Sequence, residues 1–158
     1  MGKAEEMAAA LKLKQAQEQE GKAQLQAIMD DWPVQIDKLL TTIETWLSPL
    51  ISSGLTATRS EEIKTESPPG YNFKYKTQKL TIRFGSQTAV VEPFARFMIG
   101  MGGRVDYRLG KKDIGIILST DGTNTWQTFV QTNPPSRPQF VPFNEDFFLD
   151  HLAKFLNI

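Results

Sequence analysis

His151 is the single histidine of this chain, and there is no cysteine. Those two facts remove much nucleophilic and metal chemistry at once. Thiolate attack, disulfides, iron–sulfur ligation and cysteine-type zinc sites all need a sulfur that is absent. A Ser-His arrangement would rest on His151 alone, and no Gly-x-Ser-x-Gly elbow accompanies it. His151 falls near the apolar face of a helix, four residues before Phe155, where a boundary residue bonded to backbone or water is expected.

Carboxylates leave one metal-dependent option. Glu62-Ile63-Lys64 has the acid-x-Lys spacing in which the acid holds a divalent ion and the lysine stabilises charge developing on a phosphate. Asp106 and Asp113 add acids on one hairpin. Arg104 and Arg108 flank Asp106 on its own strand face, so charge pairing accounts for it without metal. Gly100-Met101-Gly102-Gly103-Arg104 would let backbone donors approach an anion. The Gly-Lys-Ser/Thr ending of a phosphate loop is missing, however, and no helix follows; a bend or bulge between strands is the expectation. No cofactor is expected.

Charge is balanced overall, with 18 basic and 18 acidic residues, but unevenly placed. Residues 1–54 hold five lysines against eight acids, and residues 55–111 hold ten basic residues against five acids. Electrostatic function therefore belongs to the middle segment. Lys74, Lys76, Lys79 and Arg83 are expected to share the outward faces of neighbouring strands, with Arg104 and Arg108 nearby. Tyr71, Phe73 and Tyr75 interleave with the first two lysines, as at some surfaces for single-stranded nucleic acid. Alternation turns those rings towards the core, so they cannot stack on bases. Lysines guarding a strand edge explain the pattern; an acidic protein partner comes next, and nucleic acid third.

The elements that must position these residues fall on either side of Trp32-Pro33. Residues 1–31 read as a polar helical arm rich in Ala, Gln, Glu and Lys. Met7 and Leu11 begin one apolar face, and Leu25, Ile28, Met29 and Trp32 form another. Lys14 and Glu18 interrupt the seam between them and disfavour a long coiled coil. The arm's last two turns are expected to dock, and the residues before Gly21 to project. Pro33 should hold Trp32 extended and open a second helix. Residues 33–158 then form a single α+β domain.

Ile36, Leu39, Leu40, Ile43, Trp46, Leu47, Leu50 and Ile51 recur at helical spacing and must pack on a sheet. Pro49 should kink or shorten the last turn, with Gly54 as a stop. From about residue 60 the period changes to two. Gly85-Ser86 predicts a hairpin that sets Ala89 opposite Ile82 and Val91 opposite Leu80. Gly110-Lys111 predicts another that pairs Tyr107 with Ile114, Val105 with Ile116 and Arg108 with Asp113. Residues 121–124 predict a third turn, and the prolines between 133 and 138 an extended connector. Asn144 should cap a closing helix at 145–156, with Phe143 and Phe148 as a hydrophobic staple.

The fold class that follows is α+β: a coiled antiparallel sheet of six to seven strands packed with two amphipathic helices, plus the N-terminal arm. The expected function is a non-enzymatic protein-interaction module of adaptor, chaperone-like or inhibitor type. It would use the arm (Met7, Leu11, Leu25) and the basic strand face, with another protein or a second copy as partner. The alternative is a nucleic-acid-binding or metal-dependent nuclease domain on the basic strands. No apolar run approaches membrane-spanning length, and the absence of a signal pattern and of cysteine suits the cytoplasm.

Overall fold

The computed structural model describes residues 2–98, 102–119, 123–130 and 139–158. The chain begins with one helix, α1 (Lys3–Ile51), of 49 residues. Seven strands follow: β1 (Thr56–Glu66), β2 (Phe73–Phe84), β3 (Gln87–Ala95), β4 (Arg104–Leu109), β5 (Lys112–Leu118), β6 (Trp126–Val130) and β7 (Gln139–Pro142). A second helix, α2 (Glu145–Leu156), closes the described chain. The strands form one antiparallel sheet in sequence order, so every connection joins neighbours. The expected α+β class with an antiparallel sheet is the observed one.

The helix break expected at Pro33 does not occur. Trp32 and Pro33 are both helical, and α1 runs through Pro33 and Pro49 alike. Pro33 cannot donate to the carbonyl of Met29, and an interior proline costs a helix about 3 kcal/mol. The flanking side chains offset that cost. Met29, Trp32 and Ile36 are 2 %, 0 % and 1 % exposed, and each fully buried large side chain contributes roughly 1.5–3 kcal/mol. Tertiary burial therefore overrides the local breaker. The helix ends beyond Pro49, where Leu55 N–H bonds Leu50 O and Gly54 N–H bonds Ile51 O, with Gly54 at φ 103.

The buried face of α1 continues through Leu39, Leu40, Ile43 and Leu47. It packs on the inner sheet face, where Leu80, Ile82, Ala89, Val91, Val105, Tyr107, Ile116 and Leu118 are buried. Both hairpin registers are as expected: Leu80 faces Val91 and Ile82 faces Ala89, while Tyr107 faces Ile114 and Arg108 faces Asp113. Phe84, at the end of β2, is 43 % exposed. The Asn144 side chain caps α2 by accepting from Phe147 N at 2.9 Å, and Phe143 meets Phe148 at 6.2 Å between ring centres.

Gly102 and Gly103 extend the β4–β5 ladder, through Gly102 N–H to Leu118 O and Leu118 N–H to Gly103 O. Gly103 also makes room for Trp32: an added Cβ would stand 2.6 Å from its ring. Packing thus explains these two glycines. The rest of the expected glycine bend, the turn at 121–122 and the proline connector at 133–138 lie outside the described residues.

Candidate protein-interaction surfaces

The arm is the first candidate surface. From Gly2 to Glu20 every residue is exposed, and the first contact with the domain comes where Tyr71 Oη donates to Glu18 O at 3.3 Å, beside Gly21. Leu25 is partly buried against the core, and Met29 and Trp32 are buried, so the expected docking of the last turns is seen; Ile28, at 37 % exposed, does not take part. Met7 and Leu11 are 56 % and 59 % exposed. Counting back at 100° per residue from Ile36, Trp32, Met29 and Leu25, both fall on the helix face that the sheet covers further along. Met7 and Leu11 thus form a free apolar patch on the azimuth of the core face, separated from Leu25 by Lys14 and Glu18.

The basic residues do not form the single face expected of them. Lys74, Lys76, Lys79 and Arg83 all lie on β2, which pairs with β1 in unbroken register. Side chains alternate along a strand, so Lys74 and Lys76 point to the opposite face from Lys79 and Arg83. Sequence alternation suggested otherwise because the buried face changes along β2. Phe73, Tyr75 and Thr77 are buried at one end, and Leu80 and Ile82, on the other face, at the other. Only residues 80–84 of β2 pair with β3; the remaining two-stranded ribbon is free to twist. Glu66 anchors its end, accepting from Arg96 N, Phe97 N and the Tyr75 hydroxyl at 2.6–3.0 Å. Burial, reinforced by Glu66, pushes the Tyr75 phenol well above its ordinary pKa; burial likewise lowers that of Arg96.

Arg104 and Arg108 are committed within the chain. Arg104 Nε bonds Asp106 at 2.8 Å, and Arg108 approaches Glu92 at 3.2 Å and Asp113 at 3.8 Å. Lys79 meets Glu62 at 3.3 Å, and Lys64 meets Glu92 at 3.5 Å. Burial acts to raise the Glu92 pKa, but Glu62, Lys64, Arg108 and Lys79 outweigh it and hold the carboxyl below its ordinary value. Lys74, Lys76 and Arg83 are exposed and make no ion pair among the described residues. The acid-x-Lys element is thus part of a lattice of alternating charges. Among the described residues no group of three or more His, Asp or Glu is arranged to hold a metal ion. His151 Nδ1 lies 2.9 Å from Phe147 O; the carbonyl only accepts, so Nδ1 carries the proton.

A second surface had no sequence expectation attached to it. On the outer sheet face Phe94, the extra residue of a bulge between Pro93 and Ala95, is 52 % exposed with the Arg104 guanidinium 5.5 Å from its ring centre. Arg104 Nε and Phe129 Cε1 each come within 3.3 Å of where a Gly115 side chain would begin. Phe129 faces Phe140 across β6 and β7, with ring centres 6.4 Å apart, and Phe140 is 51 % exposed. Phe94, Arg104, Phe129 and Phe140 therefore make a continuous aromatic–arginine row across the outer face.

No helix among the described residues is long and apolar enough to cross a membrane. Compared with protein-family models, with curated proteins and with solved structures, the chain matches none.

Proposed function

We propose that the chain is a non-enzymatic protein-interaction module of adaptor, chaperone-like or inhibitor type, working in the cytoplasm through its N-terminal arm. One observation carries the reading: Met7 and Leu11 stand exposed on the azimuth of α1 that takes Leu25, Met29 and Trp32 into the core, separated from them by Lys14 and Glu18. A helix of roughly 15 residues is marginal alone in water. Here the docked half of α1 nucleates the free half, so the patch is presented already folded. Among the basic residues, Lys74, Lys76 and Arg83 retain unpaired charge for an acidic partner.

The alternative, a nucleic-acid-binding or nuclease domain on the basic strands, draws less support. The cations are divided between two faces of β2, and Arg104 and Arg108 are neutralised by acids. Deleting residues 1–17 is expected to leave a cooperatively folding domain that loses its partner in pull-downs. An unchanged set of captured proteins would overturn the proposal. Retention on single-stranded DNA at low salt, lost when Lys74, Lys76 and Arg83 are neutralised, would favour the alternative.

A further inference from the structure

We propose that a cleft between α1 and the β6–β7 end of the sheet binds a small, flat, aromatic anion. The site uses none of the arm and stands independently of the protein-interaction reading. The cleft has a volume of about 450 Å³. That lies within the range of small-molecule sites, which are concave, mainly apolar and set with a few polar groups. Gln35, Lys38 and Thr42 line one side from a single face of α1, with Trp46 at the far end of that face. Trp126 and Phe143 line the other side. These aromatic walls are held from behind. Trp126 packs on buried Trp32 with ring centres 5.9 Å apart, and Trp46 meets Phe143 at 5.6 Å and Phe148 at 5.8 Å. Trp46 and Trp126 nonetheless stay partly exposed. Walls already fixed by the core lose little freedom on binding, so the site is shaped in advance.

Two polar groups of the cleft are left without partners. Gln35 is 4 % exposed; its Nε2 reaches Asp31 at 3.3 Å, and its Oε1 accepts from no group among the described residues. A buried acceptor without a donor is rare in a folded protein and calls for one from outside. Lys38 is the charged residue of the lining and makes no ion pair among the described residues. The acids that follow it and precede it on α1, Glu44 and Asp37, are both bound to Arg59. Its charge is therefore uncancelled, unlike that of the cations on the outer sheet face. The ligand class follows from the lining. Tryptophan and phenylalanine walls suit a flat ring, the Lys38 ammonium suits an anionic group on that ring, and Gln35 Oε1 suits an N–H or O–H beside it. A neutral sugar would leave the Lys38 charge unused.

Anilinonaphthalene sulfonate, a flat aromatic anion, is the probe, titrated into the full-length chain by its emission and by equilibrium dialysis. N-phenyl-naphthylamine shares its rings and amine N–H and lacks only the sulfonate. One sulfonate dye should bind per chain. Lys38→Met, at an exposed helix position, should weaken it about tenfold while changing the affinity of the neutral dye less than about twofold. Thr42→Trp, which sets an indole in the cleft from an exposed position, should abolish binding of both dyes, with circular dichroism confirming the fold. Phe94→Ser and deletion of residues 1–17 each remove an apolar patch elsewhere and should leave binding unchanged. Loss of the dye in either of those two proteins would overturn the proposal. So would equal effects of Lys38→Met on the two dyes, binding that survives Thr42→Trp, or no saturation below about 1 mM. If the shortened chain keeps the dye and still captures the same proteins, the cleft stands and the arm's role fails. If it loses its partners and the full-length chain binds no dye, the arm's role stands and the cleft fails.

Discussion

The ring of Trp32 fills the space in which Gly103 would carry a side chain: a Cβ there would stand 2.6 Å from Cζ3 and 2.7 Å from Cη2. Gly103 also has φ 138, a backbone region that other residues avoid. Gly103→Ala is therefore expected to cost about 3 kcal/mol through overpacking and strain together. Urea denaturation would register it as a lowered midpoint. Gly2→Ala, where nothing lies within 4 Å, supplies the neutral control.

Pro33→Ala should act in the opposite direction. It restores a donor for the Met29 carbonyl and relieves the ring's clash with the preceding turn, so a gain of about 1–2 kcal/mol is expected, less than the full penalty because the unfolded chain also gains freedom. A higher thermal midpoint would confirm it. A loss would mean that α1 is locally bent to suit the proline.

Arg59 ties α1 to the first two strands. Its guanidinium bonds Asp37 at 2.6 Å, Thr41 at 2.8 Å and Gln78 at 3.0 Å, and its Nε bonds Glu44 at 2.7 Å. Lysine has no planar fork to replace this set, so Arg59→Lys is expected to cost about 1–2 kcal/mol. A double-mutant cycle with Glu44→Gln should return a coupling of about 1 kcal/mol. Simple additivity would reduce the cluster to unlinked surface pairs.

Alkaline pH should unfold the domain by way of two buried phenols. Burial raises the pKa of Tyr107, and burial together with Glu66 raises that of Tyr75. A phenol that holds its proton more tightly when folded contributes stability that is complete below its unfolded pKa of about 10. That stability is lost as pH rises towards the folded value, at up to about 1.4 kcal/mol per pH unit for each tyrosine. Urea midpoints should be flat to about pH 9.5 and fall beyond it. Tyr75→Phe should make the fall shallower, and an equal slope in the variant would contradict the assignment.

Much of the fold was legible because local and global signals agreed. At Gly85-Ser86 and Gly110-Lys111 turn chemistry and two-residue alternation specify the same register, and Asn144 with Phe143 and Phe148 specifies the start of α2. The sequence misled where packing overrode a local preference. Pro33 marks a helix end by every local rule, yet the burial of Met29, Trp32 and Ile36 carries the helix through it. Along β2 the lysines fall on opposite faces because the covered face changes within the strand, which no alternation count reveals. The aromatic row was hidden by inversion. In β6 Thr128 is fully buried, facing Ile116, while Phe129 faces outward. Pro93 within a strand carries the signal for one end of the row, since proline there marks a bulge, and Phe94 is the bulged residue.

The unbroken course of α1 through Pro33 also fixes the phase of the arm. Its patch keeps one azimuth relative to the sheet, about 100° per residue and 1.5 Å of rise being the only variables. One residue inserted at Gln19 would swing Met7 and Leu11 a quarter-turn away, and two would carry them nearly to the far side. Four would bring them back to within about 40° while moving them roughly 6 Å outward. Whatever the arm meets, it meets as a ruler rather than a tether, so insertions and deletions between Leu11 and Leu25 should be tolerated only in steps of whole helical turns.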